Sequence, residues 1–302
     1  MNSKKLRPPQ SAYHFGRTSL KNDVDLDIHD AMYAYLTLDL GIKPAQAEER
    51  AQSELARKIP KSVLNYLTEQ GISVTGRDVL ELGAGLGGMS EELLLNGARL
   101  KVLEPGGAWA GITKARLKRH DKDFQFLDAF GEEIPLEAES VDLIVSLQVL
   151  EHVRDPRLVL SEAYRILRPG GYFYLACENY LAFVEPHYRI PWLPLFPKPI
   201  AKLYLRALGR SPQFLEEAIT YTTYPNVIGE CRKLGFLRPR DAEIAANLQT
   251  KTNKTWRTMR FIANITGNKG PLFLDDVRNM SLLQNSGLKD AAPPHLRFSR
   301  VF

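Results

Sequence analysis

The run Val79-Leu80-Glu81-Leu82-Gly83-Ala84-Gly85-Leu86-Gly87-Gly88 places glycines at alternate positions behind apolar residues that flank a single acid. Glycine lets a chain turn sharply with positive φ and lets a ligand lie against bare backbone. A helix beginning there offers unpaired N–H groups to an acceptor. Glu104 closes the next apolar stretch, where a carboxylate can accept both hydroxyls of a ribose. Glu81 brings a negative charge to the turn, which repels a pyrophosphate and suits a cation. Asp128, in Phe126-Leu127-Asp128-Ala129, can accept from an adenine amino group. The stretch Ser146-Leu147-Gln148-Val149-Leu150-Glu151-His152-Val153 is polar where a fourth strand should end, the edge at which open α/β sheets bind ligands.

Two cofactor classes fit these residues. Gly83, Gly85 and Gly88 satisfy the dinucleotide G-x-G-x-x-G spacing, so a nicotinamide or flavin enzyme stays open. Glu81 favours instead a ligand carrying an ammonium and a sulfonium.

The elements around these residues alternate. Strands are expected at Asp78–Leu82, Arg99–Glu104, Phe124–Leu127, Val141–Leu147 and Gly171–Cys177. Helices are expected at Gly88–Asn96, Gly107–His120 and Pro156–Leu167, the last with Asp155 as N-cap and Arg168-Pro169-Gly170-Gly171 as its stop. Strands alternating with helices mean βαβ units and a mainly parallel sheet with helices on both faces. Phe236–Ile244 and an edge strand at Leu296–Phe302 bring the sheet to seven strands, and Thr250–Ile265 reads as a basic helix.

Ahead of this core, residues 1–22 lack apolar periodicity and read as a loose arm. Helices at Asp27–Leu40, Pro44–Lys58 and Pro60–Gln70 follow as an N-terminal cap. Beyond Cys177, Glu178–Pro212 interleaves Pro186, Pro191, Pro194, Pro197 and Pro199 with aromatics. Proline neither donates to a sheet ladder nor continues a helix, so this is an inserted lid and not a sixth strand. The chain thus reads as arm and cap (1–70), Rossmann-like core (71–177), lid (178–224) and a C-terminal part with a basic insertion (225–302). The role of 267–294 stays open.

With these motifs in order, the stretch from Val63 to Cys177 resembles the class I S-adenosylmethionine-dependent methyltransferases, in their ubiquinone-type branch. The resemblance implies S-adenosylmethionine as cofactor. It implies that Glu81, Gly83, Ala84, Gly85 and Gly87 surround its methionine part, that Glu104 and Pro105 meet the ribose, and that Asp128 and Ala129 lie beside adenine. Gln148 falls in the motif facing cofactor and substrate. Leu150-Glu151-His152-Val153 and Arg168-Pro169-Gly170-Gly171 match versions common in that branch.

The acceptor is expected to meet the lid. Methyl transfer is an in-line displacement in which the protein aligns the partners and excludes water. An alcohol acceptor also needs a base. His187 is the candidate base, because imidazole titrates near neutral pH. His152 is a second candidate at the sheet edge, and the plain alternative for His187 is packing against Trp192. Tyr180, Glu185, Tyr188, Arg189 and Trp192 are the candidate substrate contacts. The His-Tyr-x-Ile-Pro-Trp stretch resembles methyltransferases of surface glycans or lipid-linked intermediates, so the expected acceptor is a small molecule, a glycan or a lipid-linked intermediate.

Composition narrows the partners. The 302 residues are 44% hydrophobic and 25% charged, which excludes disordered and fibrous classes. Two cysteines are too few for a disulfide framework or a Cys-based zinc site, and no acidic or histidine cluster has metal-ligand spacing. No apolar run is long enough to span a membrane and no signal-peptide core follows the N-terminus, so a cytoplasmic setting is expected. From Lys198 onward 17 Lys/Arg stand against 8 Asp/Glu, whereas the rest of the chain carries 23 against 27. That basic third fits phosphates, acidic lipid or nucleic acid. Nucleic acid is disfavoured, since no Asn-Pro-Pro-Tyr signature follows the fourth strand and no RNA-binding module is recognisable. Ile190–Arg210 mixes apolar and basic residues, as for contact with an anionic bilayer at the inner face of a membrane or for a core-facing helix with a basic outer face.

Overall fold

The computed structural model describes residues 28–39, 42–185, 187–188, 190–237 and 278–285. The chain divides into two compact units, residues 1–135 with 211–218, and residues 136–210 with 219–302. In both, strands alternate with helices, the α/β Rossmann-like architecture expected from the sequence.

The first unit opens with α1 (Ile28–Ala34), which runs on as a π-helical turn at Tyr35–Asp39, then α2 (Pro44–Ala56) and α3 (Lys58–Glu69). Proline at the start of α2 costs no hydrogen bond, because the first N–H groups of a helix have no intrahelical partner. Arg57 joins α2 to α3 in the left-handed conformation, at φ 52°. There follow β1 (Asp78–Leu82), α4 (Gly88–Leu95), β2 (Arg99–Leu103), α5 (Ala108–Lys118) and β3 (Phe124–Leu127). Strand β2 lies between β1 and β3, parallel to both, with Glu81 opposite Val102 and Val102 opposite Phe126. A short helix at Gln213–Glu217 belongs to this unit. Successive residues of β1 and β2, among them Val79, Leu80, Val102 and Leu103, are buried, as in parallel strands covered on both faces. Helices α1 and α2 close a core of their own. Met32, Tyr35, Leu36, Ala47 and Ala51 pack with Leu86 of the glycine turn and with Ala108 and Ile112 of α5. The N-terminal helices therefore rest directly on the elements that shape the turn.

The second unit contains β4 (Val141–Leu147), α6 (Pro156–Ile166), β5 (Leu167–Glu178), a hairpin of β6 (Val184–Glu185) and β7 (Ile190–Pro191), α7 (Lys198–Ala207), α8 (Tyr224–Leu234), β8 (Phe236–Leu237) and β9 (Arg278–Asn285). Asp155 caps α6 as expected, its Oδ1 accepting the Arg157 N–H at 2.9 Å. Strands β4 and β5 are parallel, whereas β9 pairs antiparallel with β5 and with β8.

Three expectations need correction or extension here. Strand β5 begins at Leu167, not Gly171: an irregularity between Val141 and Leu143 lets Leu167 pair with Val141, so the expected helix stop lies inside the strand, with Gly170 at φ 80°. The inserted lid segment holds a hairpin and α7. An antiparallel strand, β9, comes from the stretch to which the sequence assigned no role. The expected basic helix at 250–265, the edge strand at 296–302 and the continuation of β8 lie outside the described residues.

Candidate functional site

In the first unit the turn after β1 carries Gly83, Gly85 and Gly87 at φ 79°, 53° and 76°. A side chain is strained at such angles. At Gly87 it would also collide, since a methyl group would sit 2.9 Å from Thr113 Oγ1 and 3.2 Å from the Thr113 Cα. Helix α5 fixes the turn from the other side: the Thr113 hydroxyl donates to the Gly85 carbonyl at 2.8 Å. The Gly83 N–H donates to the Leu103 carbonyl at 2.8 Å, tying the turn to β2.

Two acids are buried beside this turn. Glu104 Oε2 accepts the Gly85 N–H at 2.9 Å, and the Ala84 N–H also donates to the carboxylate. Burial pushes the Glu104 carboxyl up to about 7, against these donors and with help from Asp128. Glu81 is 2% exposed and accepts the Ser90 hydroxyl. Burial raises it to about 8, the Ser90 bond opposing and the charge of Glu104 reinforcing the rise. Two carboxyls held far above their ordinary range in one unit make a place where a cation is welcome. A methyl group added at Gly85 would meet only the Trp109 ring edge, at 4.0 Å, so the backbone there lies open to a ligand. These residues fit a cationic nucleoside: Glu104 for ribose hydroxyls, Glu81 near the charge, bare glycine backbone between them. Asp128 is exposed and its Oδ1 accepts the Gly106 N–H at 2.7 Å, so it shapes the turn after β2; Pro105 and Ala129, half-buried, flank the same two turns.

The sequence reading missed one face of α5. Trp109, Thr113 and Arg116 stand at i, i+4 and i+7, so one helix face meets the glycine turn. Trp109 packs edge-on against Tyr35 at 4.7 Å. Arg116, fully buried, donates to the Leu86 carbonyl at 3.0 Å, to the Glu54 carbonyl at 2.9 Å and to Glu91 at 2.7 Å. Arg57, Arg119 and His120 also reach Glu91. Burial alone would raise Glu91, but the His120 and arginine contacts bring it down to about 2. Burial pulls Arg116 in the opposite direction, downward; an arginine has so high a starting value that the pair stays ionised. A helical-spacing test for residues turned toward the turn would have found this face.

In the second unit, Gln148 follows β4 at φ 59°, a conformation costly for a residue with a side chain. Its N–H donates to the Ala176 carbonyl at 2.7 Å. The buried Gln148 Nε2 and Ser146 Oγ have no hydrogen-bond partner among the described residues. Buried polar atoms are seldom left so, and a bound ligand is one remedy.

His187 and His152, far apart in sequence, meet: their rings lie 5.4 Å apart, nearly perpendicular. Glu185 beneath them is wholly buried and accepts from His187 Nδ1 at 3.0 Å, from the Tyr188 N–H at 2.6 Å and from the Tyr180 hydroxyl at 3.3 Å. A carboxylate on Nδ1 puts the proton there and makes Nε2 the accepting nitrogen of the neutral ring. Tyr180 is buried, stacks on Tyr221 at 4.5 Å and is pushed far up by burial. Tyr180, Glu185 and His187 thus form one hydrogen-bonded chain, with Glu185 in the middle. Trp192 is buried against Phe196 and Tyr204, and the ring partner of His187 is His152 instead of Trp192. Arg189 lies outside the described residues. No group of three or more His, Cys, Asp or Glu among the described residues is arranged for a metal ion.

Comparison with known proteins bears on this geometry. Residues 80–175 match the methyltransferase-domain family. Over 141 residues the chain is 30% identical to the ubiquinone biosynthesis O-methyltransferase of Pseudomonas putida (strain W619), covering 43% of this chain and 59% of that protein. Over 109 residues it is 38% identical to a protein of Mycolicibacterium smegmatis named a probable S-adenosylmethionine-dependent methyltransferase, covering 36% and 40%. The chain thus spans less than two thirds of the length of these curated relatives. An S-adenosylmethionine-dependent methyltransferase structure from Mesorhizobium loti aligns with a TM-score of 0.47 at 17% identity, over 73% of this chain and 96% of that one. The family match covers the glycine turn, Glu81, Glu104, Asp128 and Gln148, and the nicotinamide alternative has no counterpart among these relatives. Residues 80–175 are thus similar to the methyltransferase domain of S-adenosylmethionine-dependent methyltransferases, a likeness that supports S-adenosylmethionine as the cofactor of this domain.

Proposed function

We propose that the protein O-methylates a small molecule, a glycan or a lipid-linked intermediate, with His187 as general base. The observation that carries this reading is the buried Glu185 carboxylate on His187 Nδ1. The bound cofactor supplies a methyl group on a sulfonium that needs no further activation. The chain must then align an acceptor hydroxyl, keep water away and take up the proton released as the new carbon–oxygen bond forms. A neutral imidazole held by a buried carboxylate is suited to that uptake, as in other carboxylate–histidine pairs. An amine acceptor would need only to arrive unprotonated and would leave the pair without this task.

The same reading takes residues 28–70 as a cap, 178–224 as an acceptor lid and the complete sheet as seven-stranded. Two buried free thiols, Cys177 and Cys231, agree with a cytoplasmic setting. No helix among the described residues is long and apolar enough to cross a membrane.

The test begins with a screen of metabolite and glycan extracts using a radiolabelled methyl donor. On the acceptor so found, His187→Gln is expected to lower kcat about 100-fold or more, with S-adenosylhomocysteine affinity unchanged. Turnover equal to that of the unmodified protein would remove His187 from the chemistry.

A further inference from the structure

Of the twelve large apolar side chains exposed among the described residues, seven lie between Phe183 and Leu208. That concentration is not the scattering expected of an ordinary surface. Helix α7 shows it most clearly. Ala201 and Leu205 are its buried residues, so the opposite side should be polar. Instead Ile200 is 53% and Leu203 63% exposed, and Leu208 is exposed just beyond the helix. At 100° per residue, Leu203 points directly away from the Ala201–Leu205 face.

The display is held rigidly. Leu195, also exposed, is fixed at φ 51°, which a leucine adopts only when its surroundings impose it. Its N–H donates to the Tyr180 carbonyl at 2.8 Å, and the Tyr221 hydroxyl holds the Phe196 carbonyl at 2.8 Å. Beneath lie the packed rings of Trp192, Phe196 and Tyr204. Apolar side chains are thus turned outward by a built support and not by a loose loop.

Charge selects the occupant. Between Glu185 and Glu216 the chain has no Asp or Glu, while Lys198, Lys202, Arg206 and Arg210 accompany the apolar residues. Lys198 is engaged inward, on the Ile219 carbonyl and over the Tyr221 ring, whereas Arg206 and Arg210 are exposed. A second copy meeting this face by two-fold symmetry would set cations against cations. An anionic bilayer satisfies both features at once, since apolar side chains enter the headgroup boundary and cations lie at its phosphates. The sequence alone left a basic outer face on a core-facing helix as the other choice; the outer face is apolar with basic residues beside it.

We propose that this face of the second unit docks on an anionic lipid bilayer, through Leu195, Ile200 and Leu203 with Arg206 and Arg210. The proposal goes beyond methyl transfer and does not depend on it. In flotation with phosphatidylcholine vesicles, the full chain is expected to rise with the vesicles only when phosphatidylglycerol is included, and less so as salt increases. The double variant Ile200→Ser/Leu203→Ser, at exposed positions, should stay at the bottom while its circular dichroism and S-adenosylhomocysteine binding match the unmodified protein. Arg206→Gln or Arg210→Gln should each weaken binding about fivefold. Absence of the unmodified chain from the floated fraction, or equal flotation of the serine variant, overturns the proposal. So does a dimer, dissociated by the same two serines, that ignores vesicles.

Discussion

Arg116→Met lowers the free energy of unfolding by about 3–5 kcal/mol, the expected cost of leaving two buried carbonyls without a donor and vacating part of a packed site. The guanidinium is fully buried, and its loss leaves the Leu86 and Glu54 carbonyls without their donor. Arg57, Arg119 and His120 still reach Glu91, so the carboxylate is not abandoned, and the cost falls mainly on the two carbonyls and on the vacated space. Arg116→Lys should rescue little, because an ammonium cannot reproduce a planar fork that serves three acceptors. Urea denaturation followed by circular dichroism measures the effect; a loss below about 1 kcal/mol, the range of an exposed ion pair, would show that the buried network does not carry stability.

Glu104→Gln separates binding from stability. Losing the carboxylate that would meet the ribose removes two charge-assisted hydrogen bonds, so S-adenosylhomocysteine should bind about 100-fold more weakly in equilibrium dialysis. The fold should respond in the opposite sense. A carboxyl with a folded value of about 7, against an ordinary 4.5, contributes fully below 4.5 and penalises the native state increasingly as pH rises toward 7. Glutamine carries no such penalty, so the variant's thermal melting point should equal or exceed that of the unmodified protein at pH 8. Unaltered affinity would remove Glu104 from the cofactor site.

Much of this arrangement was legible because glycine and proline punctuate the chain. Strand β1, the glycine turn and α4 follow from Gly83 to Gly88, and α6 from Asp155 and Pro156, to within a residue or two. What failed depends on distant partners. Strand β9, Arg278–Asn285, has no β-branched or aromatic residue to declare it and exists through pairing with β5. The Glu91–Arg116 pair spans 25 positions, and Arg57 lies 34 from Glu91, so no local pattern joins them. Glu81 and Glu104 were legible as residue types, but their burial was not. His187 was legible as a base by type, whereas Glu185 beneath it was read as a substrate contact, because its burial comes from the hairpin and from Tyr180.

The two acids beside the glycine turn make cofactor loading a proton-expelling event. Near neutrality the unliganded protein keeps hydrogen on Glu81 and on part of the Glu104 population. A fixed positive charge lowers both values, so hydrogen ions leave for the solvent as the ligand enters. Calorimetric heats of S-adenosylmethionine binding should then differ between phosphate and Tris by the gap in their ionisation enthalpies, and affinity should tighten from pH 7 to pH 8. Identical heats in the two buffers would mean that neither acid titrates with the ligand.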